Sequence, residues 1–406
     1  MPDRTKSPTI YLITADVSGD QNGARLAEAL RRQMPRVRLL GIGGQAMRRA
    51  GVQVAIESGE ASMVGPPDSL RSIRSLRRLW KGIRRLLVDN PPDAAVLIDN
   101  ETFNLLIARR LRRLGVPTVF FFPPQVWFWG RWRMRWILSL APRLLCAFKR
   151  EAEIYKAAGA DATWIGHPLR DVVRVDNRPS AALRRLKLDP RNPLVVLMPG
   201  SRRQELRTNC RTIFAAAEIL QAREPRLQFA IPLASDSLRE QLETEVRRSK
   251  LTGYAIFTSN TYSVLSSART VIQCSGTATL ETALLGIPSI ILYQCSSLRI
   301  AVARRAMHVK FIGMVNILLE EMVQPEFFEA RIDPKRLADE AWSLLWDEDR
   351  RDAIKKRLMA LPEVLGAPGA LERAAASVLA LLREPVDSDA NSCGQLRTDN
   401  HSFASQ

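Results

Sequence analysis

Short apolar runs alternate with stretches of helical periodicity along most of the chain. TIYLIT at 9–14 predicts a buried strand, and the following ARLAEALRRQM has the three-to-four-residue spacing of an amphipathic helix. DAAVLID at 93–99 and FNLLIARRLRRLG repeat that order, and PTVFFF adds the next strand. Because strands that alternate with helices usually pair in parallel, the pattern predicts an α/β fold with helices on both faces of the sheet.

The alternation restarts in the second half of the chain. NPLVVLMPGSR at 192–202 is a strand that runs into a loop, and LQFAIPL, TVIQC and SIILYQ are further strands. A polar, proline-bearing segment at about 168–190 separates the two series and predicts a hinge. We therefore expect two Rossmann-like domains, 1–180 and 181–382, that face each other across a cleft. The polar segment 383–406 has no periodicity and predicts a disordered tail.

Charge and cysteine content restrict the class of protein. The chain has 406 residues and a formal net charge of +18, so we expect an anionic partner such as nucleic acid, anionic lipid or a phosphorylated small molecule. Its five cysteines form no CxxC pair, which argues against a disulfide framework or a zinc site. No apolar run approaches the roughly 20 residues that span a bilayer, and the N-terminus lacks a signal-peptide core. A cytoplasmic protein is the expectation.

Two strand-end loops in the second half have residues that suit a phosphorylated ligand. In LMPGSRRQE, Ser201 and Arg202 follow a strand, and an arginine fork can bind phosphate oxygens in pairs. In SGTATLE, Ser275, Gly276 and Thr277 begin a helix, where backbone N–H groups attract anions. Glu281, one turn later, can accept hydrogen bonds from a ribose diol. The alternatives are a solvated surface arginine and a glutamate that complements the helix dipole.

One segment in the first half, DSLRSIRSLRRLWKGIRRLLV at 68–88, is a basic amphipathic helix. Its predicted membrane-facing residues are Arg71, Arg74, Arg77, Arg78, Trp80, Lys81 and Arg84. Trp132 belongs to a second patch, in which tryptophans alternate with arginines between 129 and 136. Such a pattern is typical of a membrane-surface element, and the alternative is a core helix with a solvated basic face.

The ordered set of motifs resembles the lipid-A-disaccharide synthases, a family of inverting glycosyltransferases of the GT-B type. The resemblance runs from about Ile10 to about Leu345. It rests on ADVSGDQNGARLAEAL, LGIGGQAMRRAG, LIDNETFN, QVWFWGRWRMR, IGHPLRD, LMPGSRRQE, SGTATLETALLGIP and VNILLEEMVQPEFF. SGTATLE alone also resembles other nucleotide-sugar enzymes, so the specificity lies in the whole set.

The sequence departs from the family pattern mainly in its first half. Asp16 replaces a family glutamate, and 100–102 (Asn-Glu-Thr) replace the Ala-Pro-Asp that follows the aspartate matched by Asp99. Gly130 stands where an arginine is expected. Lys-Arg-Glu replaces Pro-Phe-Glu after Phe148. These changes affect the acceptor side more than the nucleotide side.

The resemblance implies a reaction and roles for individual residues. The family transfers 2,3-diacylglucosamine from its UDP donor to 2,3-diacylglucosamine 1-phosphate (lipid X), without a metal or other cofactor. Asp99 is then the candidate general base, with Asp16 and Glu101 in reserve; capping of the next helix is the alternative for Asp99. The remaining implied site residues are Ser201, Arg202, Glu205, Ser275, Gly276, Thr277, Glu281 and Asn316 for the nucleotide sugar, and Ser18, Asp20 and His167 for the acceptor cleft.

Four of these residues have structural alternatives. Ser18 and Asp20 can simply cap the helix after TADVSGD. His167 can hydrogen-bond the interdomain backbone instead of the acceptor, and Asn316 can close a turn. The expected location is the cytoplasmic face of the inner membrane of a Gram-negative-type bacterium, on an anionic surface, with a homodimer left open. No nucleic-acid-binding signature is found. The rival functions are another UDP-N-acetylglucosamine-dependent GT-B transferase with a lipid-linked acceptor, and a non-catalytic lipid-binding homologue.

Overall fold

The computed structural model describes most of the chain at residue level. The described residues are 7–57, 70–99, 101–126, 133–140, 143–174, 179–306 and 310–383. The predicted tail after Arg383 and the predicted interfacial residue Trp132 lie outside them.

Seven parallel strands form the first sheet, in the spatial order β3-β2-β1-β4-β5-β6-β7. They are β1 (Thr9–Ile13), β2 (Arg38–Gly43), β3 (Gln53–Glu57), β4 (Ala94–Ile98), β5 (Thr118–Phe121), β6 (Arg143–Cys146) and β7 (Asp161–Trp164). The chain leaves β1 for β2 on one side and returns to β4 on the other, so β1 and β4 flank a topological switch point. Ligands of such sheets bind there, beyond the carboxyl ends of the strands.

Helices cover both faces of this sheet. They are α1 (Val17–Gln33), α2 (Gln45–Arg49), α3 (Leu70–Asp89), α4 (Glu101–Arg113), α5 (Met134–Leu140) and α6 (Lys149–Ala157), whereas the short α7 (Leu169–Val172) buries Leu169 in the core of the second domain. The strands β1, β4 and β5 are buried at every position, which is why they read as continuous apolar runs rather than as alternating ones. The alternation in the sequence therefore predicts this half correctly.

Six parallel strands form the second sheet, in the order β10-β9-β8-β11-β12-β13. They are β8 (Leu194–Met198), β9 (Gln228–Pro232), β10 (Tyr254–Phe257), β11 (Thr270–Cys274), β12 (Ser289–Gln294) and β13 (Glu326–Glu329). The helices that follow β7 and α7 are α8 (Pro179–Arg185), α9 (Arg203–Arg223), α10 (Arg239–Arg247), α11 (Thr261–Leu265), α12 (Ala278–Leu284), α13 (Ser297–Ala306), α14 (Met314–Leu319), α15 (Pro334–Trp346), α16 (Glu348–Leu358), α17 (Leu361–Leu365) and α18 (Ala370–Leu381).

The last helix, α18, packs on the first sheet and not on the second. Leu371, Ala374 and Val378 are buried in one core with Ile10 and Leu30. The Gln33 amide also donates to the Glu372 carbonyl over 2.9 Å. The predicted second domain, 181–382, is wrong on this point, because the apolar stripe of α18 completes the core of the first domain.

One stretch of the described chain, Glu348–Leu381, has the length and hydropathy of a membrane span. The structure divides it into α16, α17 and α18, and half of its most apolar window is buried inside the protein. Core packing therefore accounts for its composition.

Candidate functional site

A cavity of about 680 Å³ lies between the two sheets, at the carboxyl ends of their strands. Its wall in the first domain is one face of α1, formed by Val17, Ser18, Gln21, Asn22 and Arg25. Its wall in the second domain combines the loops after β8 and β11 with the start of α11. That wall includes Gly200, Ser201, Arg202, Glu205, Tyr262, Ser275, Gly276, Thr277 and Glu281.

The loop after β11 presents open backbone to this cavity. The Ser275 hydroxyl donates to the Ile312 carbonyl over 3.2 Å, which ties the loop to the base of α14. A Cβ added to Gly276 would meet nothing within 4 Å, so no protein atom demands a glycine there. The space above Gly276 belongs to the cavity, and the lack of a side chain lets a ligand approach the backbone closely.

The loop after β8 is organised by Glu205, whose carboxylate accepts from the Ser201 N–H over 2.8 Å and from the Arg202 N–H over 3.2 Å. Glu205 thereby caps α9 and occupies the place that a ligand anion would take at this helix start. This geometry argues against the expected direct contact between Glu205 and the nucleotide. The carboxylate already accepts two backbone N–H groups, and its charge would repel phosphate. The Arg202 guanidinium lies 3.5 Å from the Glu205 carboxylate, but its side chain is 69% exposed and can turn to a ligand.

Glu281 lies on the cavity wall and is half-buried. One carboxylate oxygen, Oε1, accepts a hydrogen bond of 2.9 Å from the Tyr262 hydroxyl. Burial raises the pKa of Glu281, whereas the Tyr262 hydrogen bond and the charge of Arg25 lower it. The ionised carboxylate, which is the better acceptor for a diol, therefore depends on these two neighbours.

Three of the residues predicted for the first-domain side come together. Asp16 caps α1 by accepting from the Gly19 N–H over 2.8 Å. The Ser18 hydroxyl lies 3.2 Å from Asp16 Oδ1 and 3.2 Å from Asp99 Oδ2, so it bridges two carboxylates and can donate to one at a time. Asp99 follows β4 with a φ of 52°, and the Asn104 amide holds its carbonyl over 2.6 Å.

A buried carboxyl group lies behind Asp99. Glu151, near the start of α6, is 1% exposed. Burial raises the pKa of Glu151 well above its ordinary value, and the Asp99 charge acts in the same direction, against hydrogen bonds from the backbone of Phe148 and Ala147 and from Cys146. The protonated form of Glu151 is therefore favoured.

Two predicted site residues serve the fold instead. Asp20 is buried, and its carboxylate accepts from the N–H groups of Gly44, Ala46 and Met47 over 2.6–3.1 Å. It caps α2 and fixes the glycine loop after β2, so the expected place of Asp20 in the acceptor cleft is wrong. Asn316 is fully buried; its amide donates to the Gln324 carbonyl and to Glu326, and its carbonyl accepts from Val323 and Gln324. Asn316 closes a turn and has no free side-chain atom for a nucleotide.

His167 also takes its structural alternative. Its ring is buried between Phe122 and Phe148, and its Nδ1 accepts from the Leu169 N–H over 3.2 Å. Burial, and secondarily the charge of Arg25, lowers the pKa of His167 to about 3. A neutral imidazole packed at the hinge cannot act as an acid near neutral pH.

The basic helix α3 buries the apolar face of its second half. Leu79, Ile83 and Leu87 belong to the core of the first domain, and Trp80 packs against that core. The opposite face is solvated, and its exposed cations are Arg77, Arg78, Lys81, Arg84 and Arg85. The side chains of Arg71 and Arg74 lie outside the described part. In the described half of α3, Trp80 packs against the core and is only partly exposed.

Sequence reasoning missed Arg25 and Tyr262. Ser18, Asn22 and Arg25 recur at helical spacing from the Asp16 cap, so periodicity was a signal for Arg25. Tyr262 lies in TSNTYSVL, which matches no motif. As to metals, the described residues contain no group of three or more His, Cys, Asp and Glu side chains placed to hold an ion.

Two facing parallel sheets with a cavity between them define the GT-B class of architecture, and solved structures share it. S. aureus MnaA with UDP aligns with a TM-score of 0.63 at 13% identity and covers 93% of this chain and 98% of that one. The glycosyltransferase of kitacinnamycin aligns with a TM-score of 0.59 at 14% identity, covering 93% and 100%. At such identities the likeness shows the fold alone, which is the one expected.

Sequence comparison is more specific. The family model described as lipid-A-disaccharide synthetase matches residues 10–373. Lipid-A-disaccharide synthase from Geobacter sulfurreducens is 36% identical over 380 residues, which cover 94% of this chain and 99% of the relative. The enzyme of that name from Syntrophus aciditrophicus is 33% identical over 378 residues, covering 93% and 99%. The chain belongs to the lipid-A-disaccharide synthase family and is a glycosyltransferase of lipid A biosynthesis, as its motifs indicated.

Proposed function

We propose that the protein condenses UDP-2,3-diacylglucosamine with 2,3-diacylglucosamine 1-phosphate, giving lipid A disaccharide 1-phosphate and UDP. The observation that carries the proposal is the division of the cavity. The second-domain wall offers the Arg202 cation, open backbone at Gly276 and the Glu281 carboxylate as an acceptor for a diol. Behind the first-domain wall, the carboxylates of Asp16 and Asp99 both lie within hydrogen-bond distance of the Ser18 hydroxyl. Family membership supplies the substrate class.

The second-domain wall suits the UDP part of the donor. Arg202 is exposed at the cavity and can form bidentate hydrogen bonds with the diphosphate. The backbone at Ser275, Gly276 and Thr277 is open to the ligand, and Glu281 accepts from the ribose hydroxyls. The Ser275 N–H already donates to the Leu292 carbonyl, so when the anomeric C–O bond to UDP breaks, Arg202 and the N–H groups of Gly276 and Thr277 stabilise the charge that develops on the leaving diphosphate, without a metal.

The first-domain side suits activation of the acceptor. The primary hydroxyl of the acceptor attacks the anomeric carbon and gives its proton to a carboxylate, for which Asp99 is the choice. Burial favours the protonated form of Glu151, which therefore cannot take up the proton in place of Asp99. Ser18 then orients Asp99 and, when the acceptor enters, can turn its proton to Asp16.

Attachment to the membrane is part of the proposal and rests on charge. The acylated substrates reside in a bilayer, and the exposed cations of α3 form a solvated basic face that suits anionic headgroups. Trp136 on α5 is 44% exposed and lies next to exposed Arg135, which adds an interfacial aromatic side chain. The protein would then act as a peripheral enzyme on the cytoplasmic face of the inner membrane.

The deciding experiment combines binding with turnover. Calorimetry with UDP, in the presence and absence of EDTA, tests the nucleotide site: we expect binding that EDTA leaves unchanged. A transferase assay with the two diacylglucosamine substrates tests the reaction. UDP binding without any disaccharide product would favour the non-catalytic homologue, and a product with a different acceptor would favour the rival transferase.

A further inference from the structure

The Glu281 carboxylate has a hydrogen-bonded tyrosine on its own wall of the cavity and an arginine on the opposite wall. Tyr262, on α11, donates its hydroxyl proton to Glu281 Oε1 over 2.9 Å. Arg25, on α1 of the other domain, carries a positive charge that favours the ionised form of Glu281. All three residues line the same cavity. The cavity therefore places a cation of the acceptor-side domain opposite a carboxylate of the nucleotide-side domain.

The direction of the hydrogen bond between Tyr262 and Glu281 is fixed by chemistry. An ionised carboxylate can only accept, so the one proton of the Tyr262 hydroxyl goes to Glu281. Burial raises the pKa of Tyr262, so the phenol keeps that proton at neutral pH. Glu281 Oε1 is thereby occupied, and the carboxylate is oriented with Oε2 as the oxygen for a ligand.

We propose that Arg25 and Tyr262 are positioning residues through which the first domain prepares Glu281 for the ribose of the nucleotide. The inference rests on the proposed nucleotide site, and it adds that a residue on the opposite domain sets nucleotide affinity. Neither side chain needs to touch the ligand for this role. Loss of either one leaves a half-buried carboxylate less ionised and less well oriented, which weakens its hydrogen bonds to a diol.

Calorimetry on the full-length protein tests this with UDP and 2′-deoxy-UDP as probes. We expect Arg25→Ala and Tyr262→Phe each to weaken UDP binding roughly tenfold, the scale of one charged hydrogen bond. Arg25→Lys should recover part of the affinity because it keeps a cation near the phenol. For 2′-deoxy-UDP, which offers Glu281 only one ribose hydroxyl, the loss should be smaller. Arg32→Ala is the matched control, since Arg32 lies on the same helix and pairs with Glu372 on the surface.

The Glu281→Gln background separates an indirect role from a direct one. If Arg25 acts through Glu281, then Arg25→Ala has no further effect on UDP binding in that background. An equal loss in both backgrounds would mean that Arg25 binds the diphosphate itself, and would overturn the proposal. A second outcome would overturn the positioning role while the proposed function stands. It is that Arg25→Ala and Tyr262→Phe bind UDP as the wild type does, although Glu281→Gln binds it more weakly. Absence of UDP binding by the wild type would instead refute the proposed nucleotide site.

Discussion

Replacement of Asp99 by asparagine tests the proposed general base with little disturbance of the fold. Asp99 has a φ of 52°, in the left-handed region that asparagine tolerates and that costs most other residues about 1 kcal/mol or more. The asparagine side chain would also keep an oxygen for the Ser18 hydroxyl, which lies 3.2 Å from the carboxylate in the native protein. Asp99→Asn should therefore fold normally, whereas Asp99→Ala would add backbone strain to any chemical effect.

The expected loss follows from the role of a base. Removal of a positioned general base lowers turnover by about 10²–10⁴, which corresponds to about 3–5 kcal/mol of transition-state stabilisation. Nucleotide affinity should not change, because Asp99 lies on the first-domain side, apart from Arg202 and Glu281. The fall should therefore appear in kcat, measured with purified protein and the two diacylglucosamine substrates, while calorimetry with UDP remains as for the wild type.

Asp16→Asn is the matched control for this experiment. It makes the same change from carboxylate to amide, and asparagine is as good a helix cap as aspartate, so α1 should keep its start. Near-native turnover of Asp99→Asn would refute the assignment of the base. If Asp16→Asn or Glu101→Gln then lost turnover by the expected factor, the base would lie at that reserve position.

Further predictions concern the diphosphate, the membrane and the hinge. Arg202→Ala should weaken UDP binding by about 1.5–3 kcal/mol, and Arg203→Ala should not, because Arg203 bonds to the Ser237 carbonyl; equal effects would argue against a phosphate role. Replacing four exposed arginines of α3 by glutamate should reduce binding to anionic vesicles, and high salt should have the same effect. Unchanged binding by a folded variant would refute the membrane role of α3. Those positions are Arg77, Arg78, Arg84 and Arg85. His167 has a folded pKa of about 3 against 6.5 unfolded, so its contribution to stability is complete above pH 6.5 and is lost as pH falls towards 3. Relative to His167→Gln, denaturant titration should show the wild type losing about 2 kcal/mol between pH 6.5 and pH 5, and parallel pH profiles would refute the shift.

The strands and the loops after them could be predicted because the strands of a parallel sheet have a recognisable local pattern in the sequence. A strand buried on both faces must be apolar at consecutive positions, as β4 and β8 are, and the polar loop that follows must lie at the ligand edge. Arg202, Ser275 and Glu281 were found in this way, and the structure places all three on one cavity wall.

The sequence could not show which polar side chains are already satisfied by the protein. Asp16 and Asp20 both lie at the start of α1 and look available in the sequence, yet Asp20 accepts from three backbone N–H groups of a segment more than 20 positions away along the chain. Asn316 likewise has its side-chain oxygen hydrogen-bonded to backbone N–H groups in the turn before β13. The return of α18 to the first sheet is likewise a long-range packing choice, since its apolar stripe would fit any open core.

The return of α18 also means that two segments connect the domains, and they are bonded to each other. Asp171, in α7, accepts from the N–H groups of Gly369 and Leu371 at the start of α18. Arg373 donates to the Ile165 carbonyl over 2.8 Å. A change in the angle between the sheets must deform both segments together, which restricts the motion more than a single linker would. Since Asp99 and Arg202 lie on opposite sides of the cavity, this doubled hinge sets the distance between the proposed base and the leaving diphosphate.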